Sequence, residues 1–142
     1  ARVGMQFQNL GLFAFINVYD NVAFSLRKIG MPDAEIRARA LPILEELGLG
    51  HALERFPDEI SGGMKRRLAI ARVLAKRPAL AFFDDPTAGL DPLTAERVLT
   101  QLTDWGHAQG TTLVIATPDP EVLERVVDRV LQFEGGRLER RT

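Results

Sequence analysis

Apolar residues recur at every second position over Val3, Met5 and Phe7, the period of a half-buried strand, and Gln8-Asn9-Leu10-Gly11 then breaks the pattern. A mixed apolar stretch over 13–29 follows, with Asp20 and Asn21 as candidate helix starts. Gly30-Met31-Pro32-Asp33 is turn chemistry, and Asp33 suits the N-cap of the next helix. In that helix Ile36, Ala40, Leu44 and Leu47 recur at helical spacing, and Gly48 stands where a terminating glycine belongs. Pro42, lacking an N–H, is expected to kink this helix or split it in two. A short helix is expected over 52–56, ending before Pro57. Ser61-Gly62-Gly63 opens a helix over 64–77, where Lys76 and Arg77 complement the dipole and Pro78 stops it.

The period then changes. Residues 79–83 form an unbroken apolar run, as in a strand covered on both faces. Asp91-Pro92 supplies an N-cap and a first-turn proline, and Leu99, Leu102 and Trp105 fall on one side of the helix that follows. A second buried strand is expected at 111–116, a helix at 120–128, and a third strand at 130–133. Gly135-Gly136 then makes a tight hairpin into Leu138. Strand, helix, strand, helix, strand over 79–133 predicts a parallel α/β layer. Residues 9–77 predict a second, mainly helical lobe. No internal repeat or low-complexity tract interrupts the chain.

At 142 residues the chain is sized for one domain. Eighteen Lys and Arg against 19 Asp and Glu leave a net charge of −1, without the basic excess expected of a nucleic-acid binder. The absence of cysteine excludes disulfides, thiolate nucleophiles and Cys-bound metals, in keeping with a reducing compartment. The two histidines, His51 and His107, are too far apart in sequence to suggest a metal site, and His107 reads as a surface helix residue. No apolar stretch approaches the roughly 20 residues that span a bilayer. Residue 1 is Ala, within a strand already under way, so the natural polypeptide is expected to begin upstream.

The strongest chemical signal is Phe82-Phe83-Asp84-Asp85-Pro86, an apolar strand ending in two carboxylates. The C-terminal edge of a parallel sheet is where such folds bind ligands. One carboxylate there suits Mg²⁺ held mainly through water and phosphate oxygens, and the second can orient or deprotonate an attacking water. An acidic turn after a strand is the simpler alternative. At Ser61-Gly62-Gly63 the glycines let backbone N–H groups approach an anion, and the helix dipole favours one. An ordinary N-cap accounts for the same residues. Lys65, Arg66 and Arg67 oppose the dipole at this end, so they point either to an anion in front of the helix or to a solvated basic face.

Taken together, these segments resemble a known family. Residues 60–72, Ile-Ser-Gly-Gly-Met-Lys-Arg-Arg-Leu-Ala-Ile-Ala-Arg, resemble the signature segment of ABC-type ATPases, and residues 80–87 resemble their Walker B strand. Ala88-Gly89-Leu90-Asp91-Pro92 resembles the D-loop, and Gln6-Phe7-Gln8-Asn9 the Q-loop. The resemblance runs in order along almost the whole chain. It implies a partial P-loop NTPase (RecA-like) fold: a core strand and Q-loop over 1–8, an inserted helical subdomain over 9–77, and an α/β core over 78–142. It implies ATP and Mg²⁺ as ligands. Gln8 would sense Mg²⁺ and the γ-phosphate, and Asp84 would hold Mg²⁺ through water. Asp85 would stand at the catalytic position. Ser61, Gly62 and Gly63 would contact ATP held by the opposite subunit, and Asp91 would communicate between the two sites. The implied partners are a permease, seated on a groove beside residues 8–30, and a second ATPase subunit, identical or different. The implied location is peripheral, on the cytoplasmic face of the inner membrane. Met64, where most members carry Gln, is similar to the Mce/Mla-type lipid-trafficking branch, although a core-facing helix residue explains it equally.

The chain also departs from the family pattern. It contains no G-x-x-x-x-G-K-[ST]. Losing three charge-assisted hydrogen bonds of that loop costs on the order of 5 kcal/mol, about a thousandfold or more in affinity. The 142 residues alone are therefore expected to hold ATP poorly. The family's catalytic Glu is Asp85, one methylene shorter, and its switch His is Pro118, which has no donor at all. Both changes predict slow or absent hydrolysis at this chain's own site. The alternative function is a non-hydrolysing module that binds a permease or a second ATPase. A relative of the ABC proteins acting on ribosomes or chromosomes is disfavoured. Only about fifty residues separate Gln8 from Ser61, too few for a long coiled coil, and the charge is near neutral.

Overall fold

The computed structural model describes residues 3–141; Ala1, Arg2 and Thr142, including the first two residues of the expected opening strand, lie outside them. The chain runs β1 (Val3–Gln6), α1 (Val18–Lys28), α2 (Asp33–Glu46), a 3₁₀ turn (Pro57–Glu59) and α3 (Gly62–Leu74). It continues through β2 (Leu80–Asp84), α4 (Pro92–Gln109), β3 (Thr112–Ala116), α5 (Pro120–Leu123), β4 (Leu131–Glu134) and β5 (Arg137–Arg140). Strands β1, β2 and β3 form a parallel sheet in that spatial order, with Met5 level with Phe82 and Phe82 level with Val114.

One face of this sheet is covered. Gly4, Gln6, Ala81 and Phe83 are buried there. A Cβ on Gly4 would stand 2.7 Å from Val73 of α3, and one on Gly106 of α4 would stand 2.8 Å from Leu113, so both helices press on the same side. The opposite face carries Val3, Met5, Phe82 and Val114, all exposed. This corrects two expectations. In β1 the apolar set turns away from the helices while Gly4 and Gln6 face them, because period two defines two faces without saying which one is covered. Strands β2 and β3 are likewise covered on one face only among the described residues.

The helical segment depends on shared hydrogen bonds. Helix α1 is capped by Asn17, not by Asp20 or Asn21; its side chain accepts from the Asp20 N–H at 2.7 Å. The stretch expected as a helix over 52–56 forms turns instead. Its Leu53 and Arg55 carbonyls accept from the N–H groups of Tyr19 and Val18, satisfying donors that α1 leaves free at its start. Helix α2 starts after Pro32, with Asp33 inside it, and runs through Pro42 without a break. Pro42 and Ala38 are both exposed, so water can take the carbonyl that lost its partner. Gly48 is left-handed at φ 73°, as expected of a terminating glycine. Helix α3 begins at Gly62, and α4 begins with Asp91 as cap and Pro92 inside its first turn.

Val22 and Leu26 of α1, Leu44 of α2, Leu68 and Ile70 of α3, Phe83 of β2 and Leu99 and Leu102 of α4 belong to one hydrophobic core. Beyond β3 the expectations hold less well. Helix α5 is a single turn, not nine residues, and β4 does not join the parallel sheet. It pairs antiparallel with β5 through Gly135 and Gly136, both at positive φ as a tight hairpin requires. A cavity of about 710 Å³ lies between β3 and this hairpin.

Candidate functional site

Because the three strands are parallel, their C-terminal ends open on one edge, and the register sets Asp84 level with Ala116 and Gln6 level with Phe83. Asp84, Asp85, the turn holding Gln8 and the segment Thr117-Pro118 therefore meet at that edge. Asp84 and Asp85 are half-buried; Gln8 and Pro118 are exposed. Asp85 is left-handed at φ 48°, an unusual state for a non-glycine that Asp tolerates better than most residues. Its N–H donates to the Ala116 carbonyl at 2.8 Å, and its own carbonyl accepts from the Ala88 N–H at 3.2 Å and from Arg66 Nη1 at 3.0 Å. The peptide of Asp85 thus joins β2, β3 and α3.

Gln8 sits in a turn closed by the Leu10 N–H on the Phe7 carbonyl, with Leu10 and Gly11 both left-handed. Arg72 of α3 braces this turn, donating to the Gly11 carbonyl at 2.6 Å with its guanidinium 4.7 Å from the Phe13 ring centre. Burial lowers the Arg72 pKa from its usual value, and the group still stays protonated. Gln6 is buried; its amide donates to the Phe7 carbonyl, and its Oε1 has no partner among the described residues. Asn21, read from the sequence as a helix start, is fully buried and clamps the loop that precedes α1. Its Oδ1 accepts from the Phe13 N–H, and its amide donates to the carbonyls of Phe13, Ile16 and Asn17.

Ser61 caps α3, with Oγ accepting from the Met64 N–H at 3.2 Å, and Gly62 is open on its side-chain side. The third residue, Gly63, lies against Leu90, immediately before Asp91. Asp91 caps α4 by accepting from the Thr94 N–H and hydroxyl; these bonds, the hydroxyl's foremost, hold its carboxyl below the ordinary aspartate value. Two residues of the basic run have backbone partners: Arg66 donates to the Asp85 carbonyl, and Arg67 donates to the Leu47 carbonyl at 2.9 Å. Neither role was legible from spacing, since both acceptors are backbone atoms far away in sequence. Met64 is half-buried against the core. His107 is exposed on α4, its Nε2 3.4 Å from Asp128.

No group of three or more His, Cys, Asp or Glu able to cage a metal occurs among the described residues. The Asp84–Asp85 edge fits a cation that brings phosphate and water ligands of its own, as Mg²⁺ does with a nucleotide. Toward the opposite end of β1, where its first residue Val3 is level with Leu80, Val3, Phe13, Phe24, Lys28, Arg72 and Lys76 line a groove of about 510 Å³. Phe13 and Phe24 meet edge to face at 4.8 Å there, and Lys28 lies 5.2 Å from the Phe24 ring centre. No helix of the described residues is long and apolar enough to cross a membrane.

Known proteins share this fold. The ABC transporter family pattern matches residues 1–88. The methionine import ATP-binding protein MetN of Caulobacter vibrioides is 40% identical over 137 residues, covering 96% of this chain and 41% of that protein. Its counterpart in Cupriavidus necator is 42% identical over 137 residues, covering 96% and 40%. The chain thus spans about two fifths of the length of these relatives. Among solved structures, cbiO1 from Clostridium perfringens, described as part of the ABC transporter complex cbiONQ, superposes with a TM-score of 0.87 at 33% identity, covering 96% of this chain and 55% of that one. The ATP-binding cassette MJ0796, dimeric and bound to ADP and Pi in a post-hydrolysis state, gives a TM-score of 0.85 at 32% identity, covering 98% and 62%.

Proposed function

The chain belongs to the ABC transporter family, and from that premise we propose that its protein is the ATP-binding subunit that powers a membrane transporter. The observation that carries this reading is the Asp84–Asp85 pair at the C-terminal end of the central parallel strand, with Gln8 on the neighbouring turn. In this reading Asp84 and Gln8 hold the Mg²⁺ of the nucleotide, which when bound neutralises phosphate charge. Asp85 orients the attacking water. The start of α3 offers the Ser61 hydroxyl and the N–H groups of Gly62 and Gly63 to the γ-phosphate held by an opposing subunit, identical or not. Asp91 lies on the same side and carries contact across that interface. The division into a helical lobe over 9–77 and an α/β core over 78–142 lets the lobes rotate as ATP closes the dimer.

The groove lined by Phe13, Phe24, Lys28, Arg72 and Lys76 is the seat of the permease. Its two rings and three cations favour a short segment that is apolar with acidic residues. The protein would then sit at the cytoplasmic face of the inner membrane, bound through its permease. Met64 lends no support to a lipid cargo, because its packing against the core explains it. The relatives named for methionine import make a small amino acid the better first candidate.

Hydrolysis at this chain's own site is slow. Asp85 places its carboxylate about one methylene short, and a misplacement of that size can cost about 10²-fold. Pro118, at the end of the neighbouring strand, offers no donor to the γ-phosphate. In the full-length protein reconstituted with its permease, Asp85→Glu with Pro118→His should raise steady-state ATP turnover at least tenfold. No gain sinks the impaired-site reading. Pro118 also favours a second reading, a module that binds ATP or its partners without hydrolysis. Equilibrium dialysis showing tight ATP binding, with no turnover in either protein, would select it.

A further inference from the structure

We propose that Arg66 is a positioning residue that links the nucleotide-facing start of α3 to Asp85 of the same chain; this rests on the function proposed above. Arg66 lies about one turn beyond Ser61, Gly62 and Gly63 in one continuous helix, so a movement of that start carries the Arg66 backbone with it. Its half-buried guanidinium donates to the carbonyl of Asp85 at 3.0 Å. That carbonyl belongs to a residue held in the left-handed region at φ 48°, where the direction of the side chain depends on the peptide being held from both sides. The Ala116 carbonyl holds its N–H, and Arg66 with the Ala88 N–H holds its carbonyl. Of these three, only the Arg66 contact comes from the helix whose start faces an anion.

The two ends of this link serve different sites in a dimer. The start of α3 would meet the phosphate bound by the partner, whereas Asp85 serves the nucleotide of its own chain. Arg66 thus provides a route inside one subunit by which occupancy of one site aligns the carboxylate of the other, a coupling between two sites through a rigid element.

The test uses the full-length dimer and amide hydrogen exchange with ATP present and absent, a readout that does not need hydrolysis. In the unaltered protein ATP should slow exchange at 61–64 and at 85–88. Arg66→Met should keep the protection at 61–64 and lose at least half of it at 85–88, and Arg66→Lys, which retains one donor, should restore most of it. In an Asp85→Glu background, Arg66→Met should lower kcat about tenfold with KM within about twofold. Equal protection at 85–88 in the Met and unaltered proteins overturns the link while leaving the proposed function standing. Absence of ATP protection at 61–64 in the unaltered protein overturns the nucleotide-facing reading, and the link with it.

Discussion

Asp85 and Asn21 show how much one residue's backbone or burial decides. The left-handed φ of Asp85 suits Asp better than Glu, so Asp85→Glu should cost about 0.5–1 kcal/mol of stability while turnover rises, read as a lowered urea midpoint beside a raised kcat. That opposition between stability and activity gives a physical reason for the shorter acid. Asn21 is buried with both amide functions used, and replacing it by Leu removes the side-chain partner of the Phe13 N–H and of the Phe13 and Ile16 carbonyls, whereas the Asn17 carbonyl keeps the backbone N–H of residue 21. Asn21→Leu should destabilise the protein by about 2–4 kcal/mol in chemical denaturation, with exchange rising first over 13–17. The sequence marks Asn21 only as polar near a helix start; burial and a loop eight residues away make it a clamp.

At the scale of elements, the starts of helices α3 and α4 each carry a cap and, in the proposed function, a contact across the dimer, and substitutions can separate the two. Ser61→Ala removes a cap and should cost about 1 kcal/mol, whereas Ser61→Asp keeps the cap and sets a negative charge before an anion site. If α3 faces phosphate, Ser61→Asp will retain the thermal midpoint and lose ATP-dependent dimerisation, measured by sedimentation; dimerisation at the unaltered level would reduce Ser61 to a cap. The Asp91 carboxyl lies below its ordinary value because Thr94 donates to the charged form. Its contribution is therefore present above the unfolded-state pKa and fades as pH falls through the lower folded value. Asp91→Ala should accordingly be less stable than the unaltered protein at pH 7, with the two converging in strong acid, as thermal midpoints across a pH series will show. The starts of α3 and α4, announced by their caps, were legible to within two residues, whereas α3 ends at Leu74, before Lys76 and Arg77, with Arg72 in its last turn. The turns over 52–56 were not legible, because their carbonyls are drawn to α1 from outside the local pattern.

Over the whole molecule, the sheet is the element that sequence periodicity describes least completely. Met5, Phe82 and Val114 form one exposed cross-strand row, with Val3 beside them, on the face turned away from α3 and α4. Such a row is an association surface when uncovered. A preparation of residues 1–142 should self-associate at micromolar concentrations and bind a hydrophobic dye. Phe82→Ser should weaken both, and a monomer at 100 µM by sedimentation would contradict the expectation. The same face explains why the apolar run of 79–83 reads as covered on both sides: Phe82 is as apolar as its buried neighbours Ala81 and Phe83, yet no described residue covers it.

The motifs at Gln8, Ser61-Gly62-Gly63, Asp84-Asp85 and Asp91, the parallel α/β class and the caps of α3 and α4 follow from the sequence alone, because each rests on residues adjacent in the chain or at a short fixed period. Only the tertiary structure decides that Gly4 and Gln6, not Val3 and Met5, face the helices. It alone takes β4 out of the parallel sheet and commits Arg66 and Arg72 to carbonyls 19 and 61 residues away. The physical reason is common to all three. A local pattern specifies which residues share a face or a turn, whereas the partner of that face, or of a long cationic side chain, depends on where distant backbone comes to rest.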